Sequence, residues 1–248
     1  MGLKGVHGFA RGSLHPSYHQ VNSVPQHLQE RNVRVVFVDY CCAFFTQLQQ
    51  GPLPSQLFRM SIRHQYGSQY PNFRYAVSNF VDQTLDRLQQ FSEACGNIDV
   101  CIVIDGVNRL RAKQRTNRIR RSKKSNAFRC ARRLQSWHNY QHRYGAYVNK
   151  QIRRWISFTQ AIKEAILMRL QQLEIRPYRD RVTEIAPAEA HIFYHQAPYE
   201  ADSEVVYLCN NLEEHEVGAT LSPDGDLFAY AGAYDAPVSQ IIFAHVET

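Results

Sequence analysis

Val33-Arg34-Val35-Val36-Phe37-Val38-Asp39 is a nearly continuous β-branched run that ends on an acid. A strand that is apolar on both sides is buried on both sides, the pattern of a parallel sheet, and its carboxyl end is then Asp39. In open α/β sheets ligands bind at that end. Val100-Cys101-Ile102-Val103-Ile104-Asp105-Gly106 repeats the event: an apolar strand, an acid, a turn.

Between and after these strands the spacing is helical. Cys41 to Gln50 reads as a helix closed by Gly51-Pro52. Phe73 to Phe91 carries Val77, Phe80, Val81, Leu85, Leu88 and Phe91 as a core stripe. Gln151 to Leu173 is a further amphipathic helix, packing through Ile152, Trp155, Ile156, Ile162, Ile166, Leu167, Leu170 and Leu173. Short strands follow at His191-Ile192-Phe193-Tyr194, at Gly218 to Leu221 and at Gln240 to Val246. Helices alternating with parallel-type strands predict an α/β fold: a doubly wound, mainly parallel sheet with helices on both faces.

Two further acid pairs fit this frame. Ala197-Pro198-Tyr199-Glu200-Ala201-Asp202 places two carboxylates at a helix start, and Ser222-Pro223-Asp224-Gly225-Asp226-Leu227 places two where a strand meets a turn. Alone, this stretch reads equally well as a helix cap and an Asp-Gly turn. Six acids at strand ends or helix starts favour a shared site. Magnesium and manganese are hard cations that prefer oxygen ligands, and a phosphodiester adds negative charge, so a site that cuts nucleic acid gathers carboxylates around metal.

The net charge of +7 is unevenly spread. No acid lies between Asp105 and Glu164, where 17 of the 29 Lys and Arg fall; the rest of the chain holds 12 bases against 22 acids. The basic run begins at Arg109 and includes Arg111, Lys113, Arg118, Arg120, Arg121, Lys123 and Lys124, and Trp137, Tyr140, Tyr144, Tyr147 and Trp155 are interleaved with its continuation. Cations that pair with phosphates, mixed with rings that stack on unpaired bases, predict a surface for single-stranded nucleic acid. A solvated basic helix or a nuclear import signal at Arg118 to Lys124 is the bland alternative. His138 and His142 are four apart but lack a third zinc ligand nearby.

Six cysteines without a Cys-x-x-Cys pair predict reduced, buried thiols. No apolar run is long enough for a bilayer and the N-terminus lacks a signal-peptide core, so a soluble intracellular protein, nuclear in preference to cytoplasmic, with no membrane partner is expected.

Taken in order, Met1-Gly2-Leu3-Lys4-Gly5-Val6, Val36-Phe37-Val38-Asp39, Val103-Ile104-Asp105-Gly106, the basic helix, Ala197 to Asp202 and Ser222 to Leu227 resemble the flap endonuclease/XPG family of structure-specific 5′ nucleases, whose fold is PIN-like. The resemblance implies one nuclease domain over residues 1–248: an N-terminal region 1–108, basic arch helices 109–160 and an internal region 161–248. It implies that Asp39, Asp105, Glu200, Asp202, Asp224 and Asp226 hold two Mg2+ ions, with Mn2+ as a substitute, and that Gly2 lies near the substrate. Lys113 and Arg120 keep the seven-residue spacing of the family's phosphate-contacting pair, with Arg111 and Arg118 as a competing pair. Arg121, Lys123 and Lys124 are expected to bind DNA or RNA with a single-stranded portion. The chain departs from the family in having Asp202 where many members have Glu, and in lacking a match to the further Asp and the helix-hairpin-helix or helix-two-turn-helix element that follow there. A nuclease-like scaffold without activity and an RNA endonuclease of the same fold are the rival readings.

Overall fold

The computed structural model describes residues 23–107, 114–135, 140–181, 191–213, 216–223 and 240–242. In chain order its elements are α1 (Val24–Glu30), β1 (Val35–Asp39), the short α2 (Tyr40–Ala43) and α3 (Phe45–Leu48), α4 (Leu53–Ile62), α5 (Pro71–Ala94) and β2 (Asp99–Ile104). There follow α6 (Gln114–Gln135), α7 (Tyr140–Trp155), α8 (Gln160–Gln172), β3 (Arg176–Pro177), a 3-10 turn (Tyr178–Asp180), β4 (Ile192–Gln196), α9 (Ala201–Asn210), β5 (Gly218–Leu221) and β6 (Gln240–Ile242). The chain divides into two compact units. Met1–Ala43, Thr84–Asn108 and Leu173–Thr248 form the first, and Phe44–Gln83 and Arg109–Gln172 the second.

The first unit is built on a sheet of order β3-β4-β2-β1-β5-β6 in which every neighbouring pair is parallel. The chain moves outward from β1 through β2 to β3 at the edge, fills in β4 between β3 and β2, then returns past β1 to lay down β5 and β6. The winding therefore reverses between β1 and β5, the point at which α/β sheets open a crevice at their carboxyl edge. All five residues of β1 and all six of β2 are buried, as expected of strands covered on both faces. On one face Val35, Phe37, Cys101 and Val103 pack against Ala201, Val205, Val206 and Cys209 of α9. Full burial of a Val or Phe side chain contributes roughly 1.5–3 kcal/mol.

The amino edge of the sheet is held by Arg181. Its guanidinium donates to Asp99 Oδ2 at 2.7 Å and grips the Glu216 carboxylate through two nitrogens at 2.7 and 3.0 Å. Burial pulls the Arg181 pKa down, but Glu216 and Asp99 outweigh it and hold the group firmly charged.

In the second unit α4, α6 and α7 share a core of Phe58, Ala131, Val148 and Ile152, with Ile62, Phe128, Leu134 and Trp155 against it. Trp155 stacks edge-on to Phe58 and Tyr66 and lies tilted against Phe128. Of its two expected roles, packing and base stacking, the ring serves packing. Arg169 forms a two-point ion pair with Asp82, both bonds 2.9 Å.

Two local expectations are corrected. Gln151 to Leu173 is not one helix: α7 ends at Trp155 and α8 starts at Gln160. Thr159 caps the second helix: its hydroxyl accepts the Ile162 N–H at 3.4 Å and also pairs with the Tyr66 hydroxyl at 2.9 Å. Cys41 to Gln50 is likewise split, into α2 and α3. The stripe on α5, by contrast, is buried at every expected position.

None of the six cysteines is in a disulfide; Cys41, Cys95, Cys101 and Cys209 are buried, whereas Cys42 and Cys130, expected to be buried, are half-buried, and burial pushes the Cys95 and Cys209 thiols up to about 12. Among the described residues no helix is long and apolar enough to cross a membrane.

Candidate active site

Asp39 is the last residue of β1 and Asp105 the first after β2. Asp39 pairs in register with Val103, so the two acids stand one strand apart sideways and two residues apart along the sheet. Side chains alternate between faces along a strand. Val35, Phe37 and Asp39 share one parity, as do Cys101, Val103 and Asp105, and this is the parity that packs on α9.

The loop from β4 into α9 brings the next pair of acids to the same edge. Its path is tied to β2 at three points: Ala197 N–H donates to the Ile104 carbonyl at 2.9 Å, Gly106 N–H to the Tyr199 carbonyl at 2.7 Å, and Ala201 N–H to Asp105 Oδ1 at 3.0 Å. Only glycine allows this approach, since a Cβ on residue 106 would lie 2.2 Å from the Ala197 carbonyl oxygen and 2.8 Å from Pro198 backbone atoms. Glu200 is the N-cap of α9 and its side chain makes no capping hydrogen bond. Asp202 and Glu204 occupy the first turn, where the helix dipole favours negative charge. The helix thus begins at Ala201, one residue beyond Glu200, with Pro198 in the preceding turn.

Asp39 and Asp202 are buried, at 5 % and 7 % exposure, whereas Asp105 and Glu200 are half-buried. Asp39 Oδ1 accepts the Cys42 N–H at 3.1 Å, and Asp202 Oδ1 accepts the Ser203 N–H at 2.9 Å. These bonds fix two carboxylates that cost free energy to bury. The donor set is all oxygen, as a hard divalent ion requires. Among the described residues, however, no group of three or more His, Cys, Asp or Glu is gathered closely enough to hold a metal. Asp224 and Asp226 lie outside the described residues, as do Gly2, Arg111 and Lys113.

One pair at this edge escaped the sequence reading. His195, in β4, has Nε2 2.8 Å from Glu204 Oε1, with both side chains mostly covered. A carboxylate accepts, so Nε2 carries the proton and the imidazole is held in one orientation. Nine residues separate the two, which is neither a helical nor a strand period.

In the second unit, Arg118, Arg120, Arg121 and Lys123 project from α6 into solvent and make no ion pair among the described residues. Lys124 is half-buried, and its pKa is lowered by burial and by Arg120 one turn earlier. Tyr144 and Tyr147 are exposed on α7. The chain matches no protein-family model and no curated protein.

Proposed function

We propose that the protein is a metal-dependent nuclease of the flap endonuclease/XPG kind with a PIN-like form of the doubly wound fold. The observation that carries this reading is the placing of Asp39, Asp105, Glu200 and Asp202 at one carboxyl edge, next to the reversal of strand order. Asp39, Asp105, Glu200 and Asp202, together with Asp224 and Asp226, are the residues proposed to hold Mg2+. Bound there, the ions would lower the pKa of an attacking water and stabilise the leaving oxygen of a phosphodiester.

The protein's own contribution is positional. The Asp105–Ala201 and Asp39–Cys42 hydrogen bonds hold carboxylates in place before substrate arrives, which removes reorganisation from the reaction. His195 is kept in one tautomer by Glu204 at the same edge. The cations of α6 supply the phosphate-binding surface: Arg118, Arg120, Arg121 and Lys123 are proposed to pair with nucleic-acid phosphates, together with Lys113 or Arg111 before them. Lys124 next to Arg120 supports this, because two cations one helical turn apart repel until an anion joins them.

The test is cleavage of labelled 5′-flap DNA and of single-stranded RNA across a magnesium titration. Magnesium-dependent products that vanish in Asp39→Ala support the reading, and the preferred strand assigns DNA or RNA. Salt-sensitive binding with no product at any metal concentration would make the protein a scaffold instead.

A further inference from the structure

The second unit contains a pocket of about 260 Å³ between α4, the end of α6 and α7. We propose that it binds one unpaired nucleobase of a single strand, so that the helical unit reads base identity as well as charge; the proposal rests on the nucleic-acid-binding part of the reading above.

The floor is apolar. Val148 and Ile152, both 2 % exposed, present a covered aliphatic surface of the kind against which a ring face packs. The rim is polar, with Ser55 and Arg59 one turn apart on α4, Gln135 at the last position of α6 and Asn149 on α7. Among the described residues none of these four side chains makes a hydrogen bond or an ion pair. Two primary amides, a hydroxyl and a guanidinium thus line one cavity without a protein partner among the described residues, Arg59 and Asn149 open to solvent and to a ligand.

That inventory matches a nucleotide. Each amide offers a donor beside an acceptor, the arrangement found along a base edge, and Asn and Gln pair with bases in this two-point manner. The guanidinium suits the adjoining phosphate. Gly145 completes the shape: it lies on the same stripe of α7 as Val148, Asn149 and Ile152, and a Cβ built on it meets nothing within 4 Å. A larger residue there would project into open space without straining the helix.

Binding of fluorescein-labelled single strands of about 12 nucleotides, homopolymers of dA, dC, dT, rA and rU, followed by anisotropy in EDTA, tests the proposal. The variants are Gly145→Leu, which fills the pocket, and the double variant Gln135→Ala/Asn149→Ala, which empties its rim; circular dichroism confirms that each folds. The intact protein is expected to separate its best and worst homopolymer by about tenfold. Both variants should still bind with unchanged salt dependence but bind all homopolymers about equally, at the level of the worst. If the variants keep the preference of the intact protein, or if the intact protein shows none, the pocket does not read bases. If the intact protein binds no strand at all, the nucleic-acid reading itself fails and the pocket proposal with it.

Discussion

The Asp105 carboxylate accepts the backbone N–H of Ala201 at 3.0 Å, so the end of one central strand is fastened to the start of the helix that carries Asp202. Residues 96 apart in sequence are thereby held in one geometry, and the acids at the carboxyl edge are coupled through the backbone. Asp105→Asn keeps an acceptor for that N–H, whereas Asp105→Ala removes it. Thermal denaturation should show Asn within about 1 kcal/mol of the natural protein and Ala about 1–2 kcal/mol less stable. Both should lose cleavage, which separates the structural role of the oxygen from the role of its charge.

Gly106 makes this fastening possible. In Gly106→Ala the new Cβ meets backbone atoms of Ala197 and Pro198, which cannot swing aside as a side chain can. A loss of about 2–3 kcal/mol is expected in urea denaturation. A variant as stable as the natural protein would show that the loop has room the geometry denies it.

At the opposite edge, Arg181→Met should cost about 3–5 kcal/mol at neutral pH, because it leaves the Asp99 and Glu216 carboxylates buried without their cation. Denaturation midpoints of the two proteins at neutral pH measure the loss; a variant as stable as the natural protein would show that the two carboxylates do not depend on Arg181.

Lys124 gives the binding surface a pH signature. Its pKa is lowered in the free protein by burial and by Arg120, and a bound phosphate favours the charged form, so binding takes up a proton on the alkaline side. Affinity for a single strand is expected to be full below the lowered pKa and to fall as pH rises through it. Titration calorimetry in two buffers of different ionisation enthalpy measures the uptake, and Lys124→Met should abolish the Lys124 component.

The sequence revealed the strands more fully than the site. β1 and β2 were legible because strands buried on both faces are continuous apolar runs, and the α5 stripe because a helix of 24 residues repeats its period many times. The break between α7 and α8 was not, since Ile152, Ile156, Ile162 and Ile166 keep a plausible helical spacing across it and the cap that restarts the helix is a single hydroxyl, that of Thr159. Asp39 and Asp105 stood out as acids ending apolar runs. His195 with Glu204, Arg181 with Asp99 and Glu216, and the rim of Gln135 and Asn149 did not, because each is assembled from elements that meet only in the folded chain.

If the acids of the carboxyl edge hold divalent metal, anomalous diffraction from a crystal grown with Mn2+ will show two manganese peaks within coordinating distance of Asp39, Asp105, Glu200, Asp202, Asp224 and Asp226. A manganese-saturated crystal with no peak at that edge would rule the metal site out.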